Sequence, residues 1–489
     1  MTLNLDQTLA WRRSLDAQTP DAAAELAMLN DLQGNILKGH GRAHTSHLFV
    51  TFDPSKAKAA RRFLASLGRD VTSALEQLTG TDAYRLRSVD AGAFISVLIS
   101  ARGYDALDLP GAKPQDPAFL AGMHARDLND PPAAEWEAPF QGLHAMILVA
   151  ASNADWRDAE RLSVQARIAA TQGAVTCLGF LDGDALFNDD GRNIEHFGYV
   201  DGRSQPLGLQ EDVDHEAANA GITQWNPAIH LRQLLVPCPG GTLVTSHGSY
   251  MVVRKLEQFV RQFKLREKAL ADALEAEGQA AGIKNPAVGE RAGASVVGRF
   301  ENGTPVVLDA EPVPLSSRSD DAVPNDFDYR DDQAGLRCPY AAHIRKTNPR
   351  ADTPDSKSHL MARRGIPYGK PDDHPNDDRT DNKPEGGVGL IFMAYQADIV
   401  NQFEFTQNKW VDNRQFARPL VRPGTETGID PVIGQLPSPP PNPPAQGQIY
   451  PLEWGQRAST RPFDFSGFVA MRGGEYLFAP SISFLRTLA

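Results

Sequence analysis

Three short segments carry side chains whose types and spacing can do chemistry. In Glu195-His196-Phe197-Gly198-Tyr199-Val200-Asp201-Gly202-Arg203-Ser204-Gln205-Pro206, an aspartate sits in a turn before a glycine. Such an Asp hydrogen-bonds its own turn, and it also offers a carboxylate that can take up and return a proton. In Cys338-Pro339-Tyr340-Ala341-Ala342-His343-Ile344-Arg345-Lys346-Thr347-Asn348-Pro349-Arg350, a histidine follows two alanines. Small neighbours let something large approach the ring. Cys338 lies five residues before His343, the wrong spacing for a paired zinc motif, and no second Cys or His sits nearby. A haem iron needs only one axial histidine, which this arrangement allows; a hydrogen-bonded structural histidine is the plain alternative. In Met361-Ala362-Arg363-Arg364-Gly365-Ile366-Pro367-Tyr368-Gly369, paired arginines precede a Gly-Ile-Pro turn. Their always-charged planar forks suit an anion, a haem propionate or an ordinary salt bridge.

The elements that must position these segments alternate. Residues 47–52, 93–100 and 142–150 read as strands from their β-branched, aromatic and apolar runs. Residues 57–67 have helical spacing, with Ala60, Phe63, Leu64 and Leu67 on one face, and residues 155–172 form another helix. This alternation points to an α+β unit with helices packed on a sheet. Residues 207–240 are irregular, broken by Pro227, Pro237 and Pro239. The second half opens with a strand at 248–254 and a long amphipathic helix carrying Leu256, Phe259, Val260, Phe263, Leu270 and Leu274 on one stripe. A strand follows at 388–395, and a turn and strand at 468–477 close the chain, leaving 481–489 as an apolar strand or turn. The proline-rich run 436–444 is extended loop. The halves share the order strand, helix, strand, long loop, without a sequence repeat of fixed period.

Composition excludes several classes. The 489 residues hold 49 Lys+Arg against 61 Asp+Glu, a net charge of −12. That balance argues against a general nucleic-acid binder or a binder of anionic membranes. Gly (41) and Pro (36) are frequent enough to predict long, ordered loops. Three cysteines, Cys177, Cys238 and Cys338, make no disulfide framework and fit a reducing compartment. No run reaches ~18 apolar residues, so no membrane span is expected. Trp11-Arg12-Arg13 is followed by no apolar core, so neither a secretory nor a twin-arginine signal is expected. The expected location is the cytoplasm.

Taken together, the segments resemble a family. Residues 31–42, 198–206, 343–350, 363–369 and 389–396 resemble the dye-decolourising haem peroxidases, and residues 298–305, 325–329 and 407–410 look like that family's longer members. The resemblance runs from about residue 30 to the C-terminus in the family's order. It implies an α+β fold of two ferredoxin-like subdomains, each an antiparallel sheet with flanking helices, and haem b mainly in the C-terminal half. The division expected is a lead-in at 1–30, an N-terminal subdomain at 31–206, a connector at 207–247 and a haem-binding subdomain at 248–489. On this template His343 is the axial ligand to iron, Asp201 lies on the opposite, distal face, and Arg363 is the distal arginine, with Arg364 its nearest competitor. Leu390 and Phe392 match the apolar pair that narrows the distal pocket. Gly202, Ser204 and Arg345 join the cofactor-binding set. Asp430, in Gly428-Ile429-Asp430-Pro431, is the candidate carboxylate behind His343. Trp410, Tyr340 and Tyr368 are candidates to relay electrons to the surface, with plain core packing as the alternative for each. Two features depart from the family pattern. The distal turn has Tyr199-Val200 where many members carry Phe-Arg, and the proline-rich run looks like an insertion.

The implied reaction uses hydrogen peroxide to oxidise dyes, phenols and other aromatic reductants. Peroxide must lose a proton at one oxygen and gain one at the other, which Asp201 can arrange as a distal base. A carboxylate of ordinary pKa, ~3.9, is ionised from mildly acid pH upward, so a base of this kind predicts an acid optimum. Arg363 supplies fixed positive charge where the O–O bond breaks. A carboxylate on the second nitrogen of His343 strengthens its donation to iron and holds the ring. Two other classes remain open on the residues alone. A haem carrier needs no distal Asp/Arg pair, and a haem-free assembly protein needs no His343. Open sheet edges would allow association with another copy of the chain.

Overall fold

The computed structural model describes residues 3–283, 289–316, 322–371, 374–377, 379–416, 426–435, 447–456 and 460–489. The proline-rich run lies outside the described residues. The apolar runs become strands buried on both faces, which is why they read as continuous rather than alternating. In the first half these are β1 (His44–Phe52), β2 (Phe94–Ser100) and β3 (Ala145–Ala151), joined by β4 (Val175–Asp184), a mostly half-buried strand that the sequence did not announce. Every position of β2 and β3 is buried. The second half contributes β5 (His247–Gln258), β6 (Ile366–Tyr368), β7 (Gly389–Gln396) and β8 (Val469–Ala479).

The strand order runs β4-β1-β3-β2 in the first half and β8-β5-β7-β6 in the second, antiparallel throughout. Each set places its fourth strand, first, third and second side by side, the ferredoxin-like order. The duplication hinted at by the matching element order is therefore one of topology. The two sets fuse where β8 pairs β2, through Leu477 opposite Ser100 and Phe478 opposite Ile99. The remaining ends also meet. A Cβ added at Gly183 of β4 would fall 2.6 Å from Ile366 Cγ2 and 3.2 Å from the Pro367 carbonyl oxygen of β6. Only glycine permits that approach. The two edge strands approach there without pairing.

Helices cover the sheet. α1 (Ala57–Leu67) buries Ala60, Phe63, Leu64 and Leu67, the face its spacing predicts. α2 (Ala74–Arg87) starts at a capping box in which Ser73 and Glu76 satisfy each other's backbone N–H. α3 (Ala154–Ala169) is capped by Asn153. α4 (Val260–Ala280) buries Val260, Phe263, Leu270 and Leu274. Leu256 belongs instead to β5 and Phe259 precedes the helix, because the strand runs four residues beyond the sequence expectation. The stretch read as irregular holds a helix at Gln210–Asn219. The chain end is a short helix, Ile482–Arg486, capped by Ser481, rather than a strand.

Candidate active site

His343 opens a single helical turn, α5 (His343–Thr347), after Ala341 and Ala342, both buried. Its Nδ1 lies 2.9 Å from Asp430 Oδ2. Asp430 is completely buried, and its other oxygen accepts the backbone N–H groups of Val432 (2.8 Å) and Ile433 (3.0 Å). Burial by itself would lower the His343 pKa; the charge and hydrogen bond of Asp430 outweigh it and raise the pKa instead. A quarter of the His343 side chain is exposed, and it lines a cavity of about 590 Å³. That size suits a cofactor or drug-sized ligand.

The two other principal sequence candidates line the same cavity. Asp201 is exposed and accepts the N–H of Gly202 at 2.6 Å, so it does hydrogen-bond its own turn while lining the cavity. Gly202, at φ +81°, lets the chain reverse there. Arg363 donates Nη2 to the Arg203 carbonyl (2.9 Å), and Gln205 Oε1 accepts its backbone N–H (3.0 Å). Burial pulls its pKa down, opposed by the charge of Asp201. The pair therefore feels each other's field. A two-residue strand, Ala362–Arg363, pairs with β7 and fixes where Arg363 leaves the sheet.

Arg364 has a different job. Its guanidinium donates to the carbonyls of Asn35 (2.7 Å), Ile36 (3.0 Å) and Arg363 (2.8 Å), tying the 31–42 turn to the arginine segment. Leu390 and Phe392, side by side on the same face of β7, line the cavity. Ser204 lines it too, accepting from Arg350 Nη2 at 3.0 Å.

Other expected residues fall elsewhere. Arg345 is fully buried and does not line the cavity. Its fork binds Asp352 (2.7 Å), Asp332 (3.0 Å) and the Cys338 carbonyl (2.6 Å), and its plane sits 4.0 Å from the Tyr340 ring centroid. It holds the histidine turn from behind. Trp410 and Tyr340 share a buried aromatic cluster with Phe416, and Phe405 packs against it. Tyr368 is buried on β6, with Lys255 Nζ 5.0 Å from its ring centroid.

Two arginines that sequence reading did not single out complete the wall. Arg254 of β5 is 2% exposed, ion-paired to Asp130, with Nη1 buried and unpartnered. Arg203 pairs with Glu216 at 2.9 Å, and its Nη2 is likewise unpartnered. Both line the cavity. Arg203 lay within a quoted motif; Arg254 carried no local signal, since only the β5 register places it opposite Phe392.

This lining fits a haem. Apolar side chains of Leu256, Leu390, Phe392, Ile433 and Met471 offer the walls, and unmet guanidinium donors suit carboxylates on the bound group. Among the described residues no group of three or more His, Cys, Asp or Glu could hold a bare metal ion. A lone imidazole backed by a carboxylate fits an iron that arrives in its own macrocycle.

Comparison with known proteins agrees with the fold and the lining. Residues 282–421 match the family model described as "Dyp-type peroxidase, C-terminal". The chain is 42% identical over 500 residues to the multifunctional dye peroxidase DyP2 of an Amycolatopsis species, covering all of both chains. It is 31% identical to the dye-decolorizing peroxidase msp1 of Mycetinis scorodonius, covering 96% of this chain and 90% of that one. Among solved structures, DyP2 superposes with a TM-score of 0.87 at 40% identity, over 99% of this chain and all of the other. A DyP-type peroxidase of an Anabaena species gives 0.84 at 35% identity, over 100% and 98%. This fold and cavity are those of a haem peroxidase. The chain belongs to the dye-decolourising, or DyP-type, peroxidase family, whose members are hydrogen-peroxide-dependent oxidoreductases.

Proposed function

We propose that this peroxidase binds haem b with His343 as the axial ligand, and oxidises dyes, phenols and related aromatic reductants. The observation that carries the reading is the His343–Asp430 pair, with Asp201 and Arg363 lining the same cavity. When bound, the haem supplies the iron at which peroxide is cleaved and through which reductants deliver electrons. Asp430 accepts the His343 Nδ1–H, so Nε2 keeps its lone pair for the metal and the ring cannot rotate. Asp201 takes the proton from one peroxide oxygen and returns it to the other. Arg363 holds positive charge beside the breaking bond, fixed by the Arg203 carbonyl. Leu390 and Phe392 keep bulky molecules from the distal side. A solved relative at 27% identity is described in complex with 2,6-dimethoxyphenol, which supports phenols as reductants.

Larger dyes then need an indirect route. Trp410 and Tyr340 are our relay candidates, since Lys346, on the turn that carries His343, donates to the Trp410 carbonyl at 3.0 Å. Trp410 is only 3% exposed, so the route continues through Phe405 and His359, stacked at 3.7 Å. Tyr368, on β6, is the weaker of the three on this geometry. We place the enzyme in a reducing cytoplasm on its three free cysteines; no helix among the described residues is long and apolar enough to cross a membrane.

The test is transient kinetics of the haem-loaded protein with peroxide. Asp201→Asn should slow that reaction about 10²–10⁴-fold and Arg363→Leu about 10²–10³-fold. Wild-type rates in both variants would remove these residues from the mechanism.

A further inference from the structure

We propose that the outer mouth of the cavity, formed by Lys38, His40, Arg42 and Arg85, docks small anionic aromatic reductants, meaning phenols that carry a carboxylate or sulfonate. This rests on the peroxidase reading above and names a substrate class for it. The protein as a whole is acidic, with a net charge of −12. The cavity lining reverses that sign, with seven Lys or Arg side chains against three carboxylates.

The inner cations have work already. Arg203 pairs with Glu216, Arg254 pairs with Asp130, Arg363 faces Asp201, and Arg364 is committed to three carbonyls. At the mouth, Lys38 is paired with Asp212. Arg42 and Arg85 are not ion-paired in this way, although the Asp90 charge is felt at Arg42. Arg42 donates only to the neutral carbonyls of His40 (2.8 Å) and Gly92 (3.1 Å), and forms no ion pair within 4.0 Å among the described residues. Arg85, in the last turn of α2, is exposed and has no ion pair among the described residues. Hydrogen peroxide is uncharged and needs neither.

The mouth also has room. A Cβ at Gly41 would meet nothing within 4 Å, and one at Gly39 only Arg364 Cδ at 3.8 Å. His40 is pushed down to about 3 by burial and by the neighbouring Arg42 charge, so it stays neutral, and its ring lies 5.2 Å from that of Phe94. An aromatic anion entering here meets Arg42 and Arg85, neither of them ion-paired, in a cavity that Asp201 and Arg363 also line. Low-dielectric walls focus such a field.

The experiment is isothermal titration calorimetry on the haem-loaded protein with 4-hydroxybenzenesulfonate, phenol and tyramine. The wild type should bind the sulfonate about tenfold more tightly than phenol, and raised salt should erase the difference. Reversing one charge about 5 Å from the ligand changes affinity on the order of tenfold. Arg85→Glu should therefore weaken the sulfonate by about that factor and strengthen the cationic tyramine. Arg42→Gln should weaken the sulfonate in the same direction. Equal affinities for sulfonate and phenol, or an Arg85→Glu protein with the wild-type order, would overturn the proposal. Turnover of the same phenols with peroxide is measured separately. Its absence would remove the peroxidase reading, while the binding ratios still decide the mouth.

Discussion

The two walls of the cavity are built on opposite plans. Behind His343 the charged groups are spoken for: Nδ1 by Asp430, Asp430 by two backbone N–H groups, Arg345 by two carboxylates and two carbonyls. Elsewhere on the lining, the exposed Asp201 side chain accepts from its own turn, and Arg203 and Arg254 keep buried nitrogens without partners. The first wall meets its charges within the protein. The second keeps charge and hydrogen-bonding capacity for something that arrives. Placing a ligand and moving a proton need these different environments.

Substitutions on the two walls should therefore separate rate from stability. The largest effect is expected for Asp201→Asn, a rate loss of about 10²–10⁴ with an unchanged denaturant midpoint, since Asn can accept the same Gly202 N–H. A midpoint that falls along with the rate would blur the contrast. Next comes Arg345→Met, which leaves Asp332 and Asp352 buried without their cation. The expected loss is about 3–5 kcal/mol in denaturant unfolding, much larger than any direct effect on substrate binding.

These contrasts also show how much the sequence disclosed. His343, Asp201, Arg363, Leu390 and Phe392 line one cavity, and Asp430 stands behind His343, as their motifs suggested. The family resemblance carries that information, because each segment taken singly also has a plain structural reading. Arg345 was misleading. Being two residues from His343 in sequence put it on the far side of a helical turn, where it faces Tyr329 and Tyr340 rather than the cavity. Arg254 and the meeting of β4 with β6 at Gly183 were not legible at all, since both depend on registers between distant strands. Three strands of the first half were readable because burial leaves a nearly unbroken apolar run, whereas β4, mostly half-buried, and α2 were not read.

A smaller change sharpens the proximal side. Asp430→Asn keeps the size and the backbone contacts but removes the charge that raises the His343 pKa. Peroxide reactivity should fall about 10–100-fold, with a shifted haem absorption band as the accompanying readout.

The smallest effect concerns Asp412, which burial raises to about 7. It accepts hydrogen bonds from Gln435 and Gln407, which both line the cavity. Between about pH 4 and 7 the folded chain holds a proton there that the unfolded chain releases. Stability should fall as pH rises through that window, by up to ~1.4 kcal/mol per pH unit for this one proton. Asp412→Asn should remove that share of the slope in denaturant midpoints taken across the window.

The central claim is that His343 holds a haem that reacts with peroxide. Its most direct test is the absorption spectrum of the haem-loaded protein before and after one equivalent of hydrogen peroxide, beside His343→Ala. The account predicts a Soret band that changes rapidly with peroxide in the wild type and is lost or displaced in the variant. A Soret band identical in the two proteins, or one inert to peroxide in the wild type, would contradict it.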